Sequence, residues 1–341
     1  MRAIITDVEY NGIAHIDSWN QLYVDARASG AKLIGSQAHQ IAFQKNTTEG
    51  ISTVANGIHW TPGDNIVLAR GEFPANVYPW LNQAPKGVEI NWVEAESGRL
   101  STANFAEVVN RKTRVLSVSS VQFFAGYRSD LQALSALCKD HGILFVVDAI
   151  QSLGVLPLNV EETGIDVLCA DGHKWMLAPE GCAYLFCSQH ALDALHISSL
   201  GWASVESAHD FLSYDQIPHP DARRFESGTQ NTAGIAGLKA ATDFLVAQGI
   251  DTISKRVLML TDRLCCGLER RGYSILSSRK DGHKSGIVTF KHPILPSLEL
   301  YNLLLANRIQ GTERAGYIRL SPHFYNTEEE IDKVLALLSM G

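Results

Sequence analysis

Residues 145–154 read FVVDAIQSLG, and residues 166–179 read DVLCADGHKWMLAP. Each stretch runs from apolar into polar residues. The runs at 143–147 and 167–170 have the length and composition of strands buried on both faces. Asp148 follows the first run directly. At the end of a parallel strand, its carboxylate points into the crevice where such sheets bind ligands. Gln151 follows in the next turn and can face the same way, and Lys174 follows the second run in a glycine-containing turn. Further out, residues 65–69 (NIVLA) and the β-branched run at 113–121 also read as strands. Between 121 and 143 the pattern is helical. Asp130 caps it, Leu131, Leu134, Leu137 and Cys138 share a face, and Gly142 ends it. Strand–helix–strand units of this length predict an α/β chain, with a mainly parallel sheet covered by helices on both faces.

Toward the C-terminus the pattern changes. Residues 199–224 are rich in His, Ser, Asp and Pro and read as a long irregular connection. Beyond it, Ile253, Val257, Leu260, Leu264 and Leu268 keep helical spacing. Residues 286–290 read as a strand, and Thr327 with Glu330 forms a capping box for a final helix through Leu338. A length of 341 residues suits two cores. The expected division is a large domain over 1–222 and a smaller α+β domain over 223–341. In the segment Asn46-Thr47-Thr48-Glu49-Gly50, Glu49 opens a helix through Ile58, with Thr47 or Thr48 as its cap. Free amides at such a helix start make a natural phosphate site.

Composition narrows the function. The net charge of −7, without a basic run, argues against nucleic acid as a partner. The six cysteines form no C-x-x-C pair, so no metal site is expected; reduced thiols suit a cytoplasmic protein. The start, MRAIITDVEY, does not read as a signal peptide, and no stretch reaches the ~20 apolar residues of a membrane span. No G-x-G-x-x-G follows the early strands, which disfavours a plain nucleotide-binding protein.

Asp148 and Lys174 together are the pair that pyridoxal phosphate needs. A lysine amine forms the Schiff base, and a carboxylate keeps the pyridinium nitrogen protonated, so that the ring can withdraw electrons from the substrate's α-carbon. On these motifs the chain resembles the class V aminotransferase family, which includes cysteine desulfurases, selenocysteine lyases, kynureninases and isopenicillin N epimerase-like proteins. The resemblance runs from about Ala31 to the C-terminus. It implies the type I pyridoxal-phosphate transferase fold and a homodimer with active sites at the subunit interface. It also implies roles. Asp148 pairs with the ring nitrogen, Gln151 bonds the ring hydroxyl, and His173 lies beside Lys174 near the phosphate. Thr47 and Thr48 lie in the phosphate-binding turn. Phe73 stacks on the ring, where desulfurases usually have His; Phe keeps a flat face but cannot move protons. Thr229 reaches the partner's phosphate. Arg319 binds the substrate's α-carboxylate, which a planar fork of donors suits; without the resemblance it would read as a structural salt bridge. Gln122 and Phe123 are candidates for shaping the pocket.

Three departures from the family pattern follow. Desulfurases carry a nucleophilic cysteine on the loop before the arginine, but residues 303–319 contain none. Asp171 stands where many desulfurases have a phosphate-binding serine. Residues 1–30 do not match the family's N-terminal arm, so part of the substrate pocket is expected to be absent or built differently. The motifs do not choose among transamination, β-elimination and epimerisation. A transaminase or carbon–sulfur lyase acting on an amino acid ranks ahead of a desulfurase. A binder that keeps the cofactor without turnover is the rival from another class.

Overall fold

The computed structural model describes residues 1–95, 99–212 and 214–339. Its central sheet has seven strands: β1 (Ile41–Gln44), β2 (Asn65–Ala69), β3 (Glu89–Val93), β4 (Thr113–Ser119), β5 (Leu144–Asp148), β6 (Val167–Asp171) and β7 (Ala183–Cys187). Their order is β1-β7-β6-β5-β4-β2-β3. Strands β2 to β6 run parallel, and β7 is antiparallel to both its neighbours.

The apolar runs are continuous because both faces are covered. Along β5, Phe145 and Val147 enter one core, while Leu144 and Val146 enter the other. The N-terminal segment forms two helices, α1 (Arg2–Asn11) and α2 (Ile16–Ile34). The C-terminal half of α2 joins the first core, with the helices Leu131–His141 and Thr232–Gln248. On the other face, α3 (Thr47–Gly57) packs Ile51, Val54 and Ala55 beside Trp80. The helix Leu131–His141 has the caps that its sequence predicts. Asp130 Oδ1 accepts from Ala133 N at 3.0 Å, and Gly142 closes it with φ 65°.

A second sheet is antiparallel, in the order β10-β11-β9-β8: β8 (Ser274–Ile275), β9 (Val288–Lys291), β10 (Thr312–Arg314) and β11 (Tyr317–Leu320). It has its own core, in which Leu260, Leu264, Phe290, Ile318 and Leu335 meet. The capping box is present, with Thr327 Oγ1 and the Glu330 carboxylate each accepting the other's backbone N–H. Residues 199–224 are largely irregular, as expected, with one-turn helices at Trp202–Ser204 and Ala222–Phe225; Ser213 lies outside the described residues. Among the described residues, no helix is long and apolar enough to cross a membrane.

The segment after β4 joins the two sheets. Thr289 Oγ1 donates to Phe124 O at 2.5 Å, Arg319 Nη1 to Phe123 O at 2.5 Å, and Ser285 Oγ to Gly126 O at 2.7 Å. Gly126 has φ 67°, and a Cβ there would lie 2.8 Å from Ile287, so the seam requires glycine twice over.

Candidate active site

The parallel strands end side by side. Ser119 is opposite Asp148 across β4–β5, and Asp148 is opposite Cys169 across β5–β6. The turn carrying Lys174 leaves this same edge after β6. It is tightly held: Leu177 N donates to Lys174 O at 3.1 Å, and Ala178 N to Gly172 O at 2.9 Å. Leu177 has φ 58°, a left-handed conformation that costs about 1–2 kcal/mol for a residue with a side chain. Trp175 locks the neighbouring position. Its ring presses on Gly286, and its carbonyl is 3.2 Å from His323 Nε2.

The floor of the cleft is acidic and buried. Asp148 is buried, and its carboxylate accepts one hydrogen bond among the described residues, from Ile150 N at 3.0 Å. Burial pushes its pKa up to about 6, although Ile150 N–H and the Lys174 charge both oppose the rise. Glu72 lies nearby, also buried. It accepts from Ser119 N at 2.8 Å and from the Ser119 hydroxyl. Burial pushes Glu72 up to about 7; the Ser119 hydrogen bonds oppose this, and the charge of Asp148 adds to it. Burial also lowers the Lys174 amine below its ordinary value, with Asp148 pulling the other way.

Above this floor stand aromatic rings and cations. Lys174 Nζ lies 5.4 Å from the centre of the Phe73 ring. Phe73 meets Phe123 edge to face at 5.3 Å, and Arg319 is anchored on the Phe123 carbonyl. Arg319 forms no ion pair among the described residues; its pKa is lowered by burial first and then by Arg314. Gln122 spends its side chain on the backbone, donating to Gly71 O at 2.7 Å and accepting from Ala125 N at 2.9 Å. It pins the seam, while Phe123 faces the cleft.

The start of α3 approaches from the side of β6. Asp171 N donates to the Thr47 hydroxyl at 3.0 Å, and Asp171 Oδ2 lies 3.1 Å from His173 Nδ1. The other Asp171 oxygen is buried without a partner among the described residues. The helix starts earlier than the sequence suggested. Its cap is Asn46, whose Oδ1 accepts from Glu49 N at 2.9 Å, and Thr47 is the first helical residue. Asn caps as well as Thr and frees both threonines to lie inside the first turn, where the helix leaves its N–H groups unsatisfied. Thr48 is exposed there, and Thr47 is buried. Gln151 is buried in the turn after β5. Thr229 lies on an exposed loop and lines a groove with Lys45, Glu49 and Glu226. The structure thus brings together Phe73, Asp148, Lys174 and Arg319, and beside them Thr47, Asp171 and His173; within one chain, Thr229 stands outside that set. The sequence pattern did not single out Glu72 or Arg314 for a role at this site. A lone buried glutamate at a strand end and an arginine in a hairpin turn carry no periodic signal.

These residues fit a pyridine ring that carries a phosphate. Asp148 forms no ion pair among the described residues, Lys174 is half-buried against an aromatic face, and the first turn of α3 leaves N–H donors unsatisfied. Fold and site together define a type I pyridoxal-phosphate enzyme. The chain belongs to the aminotransferase class-V family, whose model matches residues 13–334. It is 30% identical to a probable cysteine desulfurase of Methanothermobacter thermautotrophicus, over 90% of this chain and 80% of that protein. Among solved structures, it resembles the apo cysteine desulfurase of Thermococcus onnurineus at TM-score 0.87 and 25% identity, covering 95% of this chain and 84% of that one. It also resembles the cystine C–S lyase C-DES in complex with its reaction product, cysteine persulfide. There the TM-score is 0.90 at 25% identity, over 99% of this chain and 92% of that one.

Proposed function

We propose that this enzyme is a carbon–sulfur lyase that carries pyridoxal phosphate on Lys174 and eliminates sulfur from an amino acid. The cofactor supplies an electron-withdrawing ring conjugated to the substrate's α-carbon. Asp148 holds the proton on the ring nitrogen, Gln151 bonds the ring hydroxyl, and Phe73 covers the ring face. Thr47, Thr48 and His173 hold the phosphate at the start of α3, and Asp171 braces Thr47 and His173 from below. Arg319 takes the substrate's α-carboxylate. Burial lowers the Lys174 amine, so its Nζ is better able to accept the α-proton at neutral pH.

The observation that carries the choice of elimination is the state of the thiols. A persulfide route needs a reachable thiolate, and thiolate reactivity needs exposure and positive surroundings. Residues 303–319 hold no cysteine. Cys169 is closest to Lys174 in sequence, but it is buried under Gly50 of α3, with its pKa raised by burial. Cys138, Cys182, Cys187 and Cys265 are buried too, and only Cys266, on the helix of the second core, is exposed. The test is to reduce the holoenzyme with borohydride and then, separately, to supply cysteine without reductant. The cofactor should be fixed to the peptide containing Lys174, and pyruvate, ammonia and sulfide should appear with unmodified thiols. Label on another lysine would overturn the assignment of Lys174. Alanine with a persulfide on the protein would overturn elimination.

We further propose a cytoplasmic homodimer in which Thr229 serves the partner's phosphate. Its exposed position supports this, as does the absence of disulfides among the described residues. Mixing Lys174→Ala subunits with Thr229→Ala subunits should create one intact site per heterodimer and restore activity. Mixtures no more active than their parents would refute the shared site.

A further inference from the structure

The hairpin β10–β11 stands where the family's longer cysteine-bearing loop was expected. Its turn is Arg314-Ala315-Gly316-Tyr317, with φ 51° at Ala315 and 76° at Gly316. Positive φ at both central residues is the two-residue turn that matches strand twist, so the hairpin is short and tightly closed. In its register, Thr312 is opposite Arg319 and Arg314 is opposite Tyr317. Residues two apart share a face of a strand, so Arg314, Tyr317 and Arg319 lie on one face. Ile318 and Leu320 are buried on the other.

That shared face looks into the cleft. The Arg314 guanidinium lies over the Phe123 ring, 5.3 Å from its centre. Phe123 is the residue that touches Phe73 on one side and holds Arg319 on its carbonyl. Two guanidiniums therefore meet one residue, Arg314 over its ring and Arg319 on its carbonyl, and both lie near enough to Lys174 to act on its charge. Neither has an acidic partner among the described residues. The nearest acid in the hairpin, Glu313, accepts the Gly316 N–H at 3.0 Å and lies on the opposite face. Like charges placed together repel, and Arg314 lowers the pKa values of both Arg319 and Lys174. One α-carboxylate satisfies one planar fork of donors. It leaves the second guanidinium at the mouth, on the side where a substrate's side chain would project.

We propose that Arg314 is a second anion-recognition residue, and that the site selects amino acids whose side chain ends in a second anionic group. This rests on the amino-acid site proposed above and adds its substrate class. Bound through Arg319, a substrate would send its side chain past Phe123 toward Arg314. The leaving sulfur of a thioether would then lie between its α-carbon and a terminal acid. Replacing that acid with an amide keeps size and shape and removes the charge.

The experiment titrates the holoenzyme with S-carboxymethyl-L-cysteine and with its amide, S-carbamoylmethyl-L-cysteine. Binding is read from the shift in cofactor absorption, and thiol release is followed separately. Glutamate and glutamine provide a second pair that does not depend on elimination. The acid of each pair should bind about tenfold or more tightly than the amide. Arg314→Gln should remove that preference and leave the amides within about twofold, since a neutral side chain does not draw on the charge of Arg314. Arg319→Gln should weaken all four ligands together. Equal binding of acid and amide, or an unchanged preference in Arg314→Gln, would overturn the proposal while leaving the cofactor site standing. A protein that holds no cofactor, or shows no spectral response to any amino acid, would overturn the site reading and this proposal together.

Discussion

On the sheet side of the cleft, Asp148 and Glu72 are buried carboxylates with raised pKa values. On the side of the second sheet, Arg314 and Arg319 are cations without acidic partners among the described residues, one over the Phe123 ring and one on the Phe123 carbonyl. The protein does not pair these two sets of charges with each other. The floor was built from the ends of hydrophobic strands, where an ionised carboxylate is expensive. Moving Asp148 from its ordinary pKa of 3.8 to about 6 corresponds to about 3 kcal/mol against its charged form. At the lip, Arg314 faces solvent, where a guanidinium stays charged at little cost, and the deeper Arg319 offsets part of its burial by donating to the Phe123 carbonyl. A ligand that is cationic at one end and anionic elsewhere satisfies both. In the proposed complex a protonated ring nitrogen would meet the floor, and carboxylates would meet the lip. The difference teaches that one cleft can hold a desolvated acidic floor and a cationic lip, so that a cofactor and a substrate would be recognised there by different means.

The sharpest way to break that comparison is to remove the floor's main charge. Asp148→Ala should lower turnover by about 10²–10³-fold, the usual loss when one preorganised electrostatic contact at the reacting group is removed. Cofactor content should fall far less, because in the proposed site Lys174 and the start of α3 would hold the cofactor independently. Measuring absorbance per subunit alongside initial rates separates the two. A variant that turned over at the parental rate would mean that Asp148 does not hold the ring nitrogen. Loss of cofactor in step with activity would mean that the floor binds more than it activates.

The two regions also differed in how well the sequence announced them. β5 and β6 are covered on both faces, so their apolar runs are unbroken, and Asp148 and Lys174 stand out where each run stops. That contrast is local and needs no tertiary knowledge. Asp130 and Gly142 around a helical face, and Thr327 with Glu330, were legible for the same reason: a cap is a short-range pattern. The start of α3 was misplaced because Asn46, Thr47 and Thr48 are all good caps, and only the packed helix decides among them. The two N-terminal helices were not read from the sequence; α1 buries nothing, and only the C-terminal half of α2 enters the core. Arg314 was invisible for a deeper reason. Its place over Phe123 depends on hairpin register and on the seam between two sheets, contacts that link residues almost two hundred positions apart.

The smallest expected effect concerns Glu72, and it sharpens the account of the floor without touching substrate. Glu72 has a folded pKa of about 7 against an ordinary value of 4.5. Between those values the folded state binds a proton that the unfolded chain has released. Its contribution to stability is therefore fully present below about pH 4.5 and is lost as pH rises through about 7. For a fully buried group with this shift, the loss is about 3 kcal/mol. Asp148 acts in the same direction over a lower window, so the parental protein alone cannot separate the two. Glu72→Gln does separate them. The amide oxygen can still accept from Ser119 N, its NH2 can donate to the Ser119 hydroxyl, and it never ionises. Urea unfolding of the cofactor-free proteins should show the variant gaining on the parent as pH rises from 5 to 8, by up to about 3 kcal/mol at the upper end. At pH 5 the two should be nearly equal, and turnover of the reconstituted variant should change by less than about tenfold, because Ser119 and Asp148 keep their places. Parallel pH curves for the two proteins would show that Glu72 is ionised in the fold, and that the floor of the cleft is wetter than its burial implies.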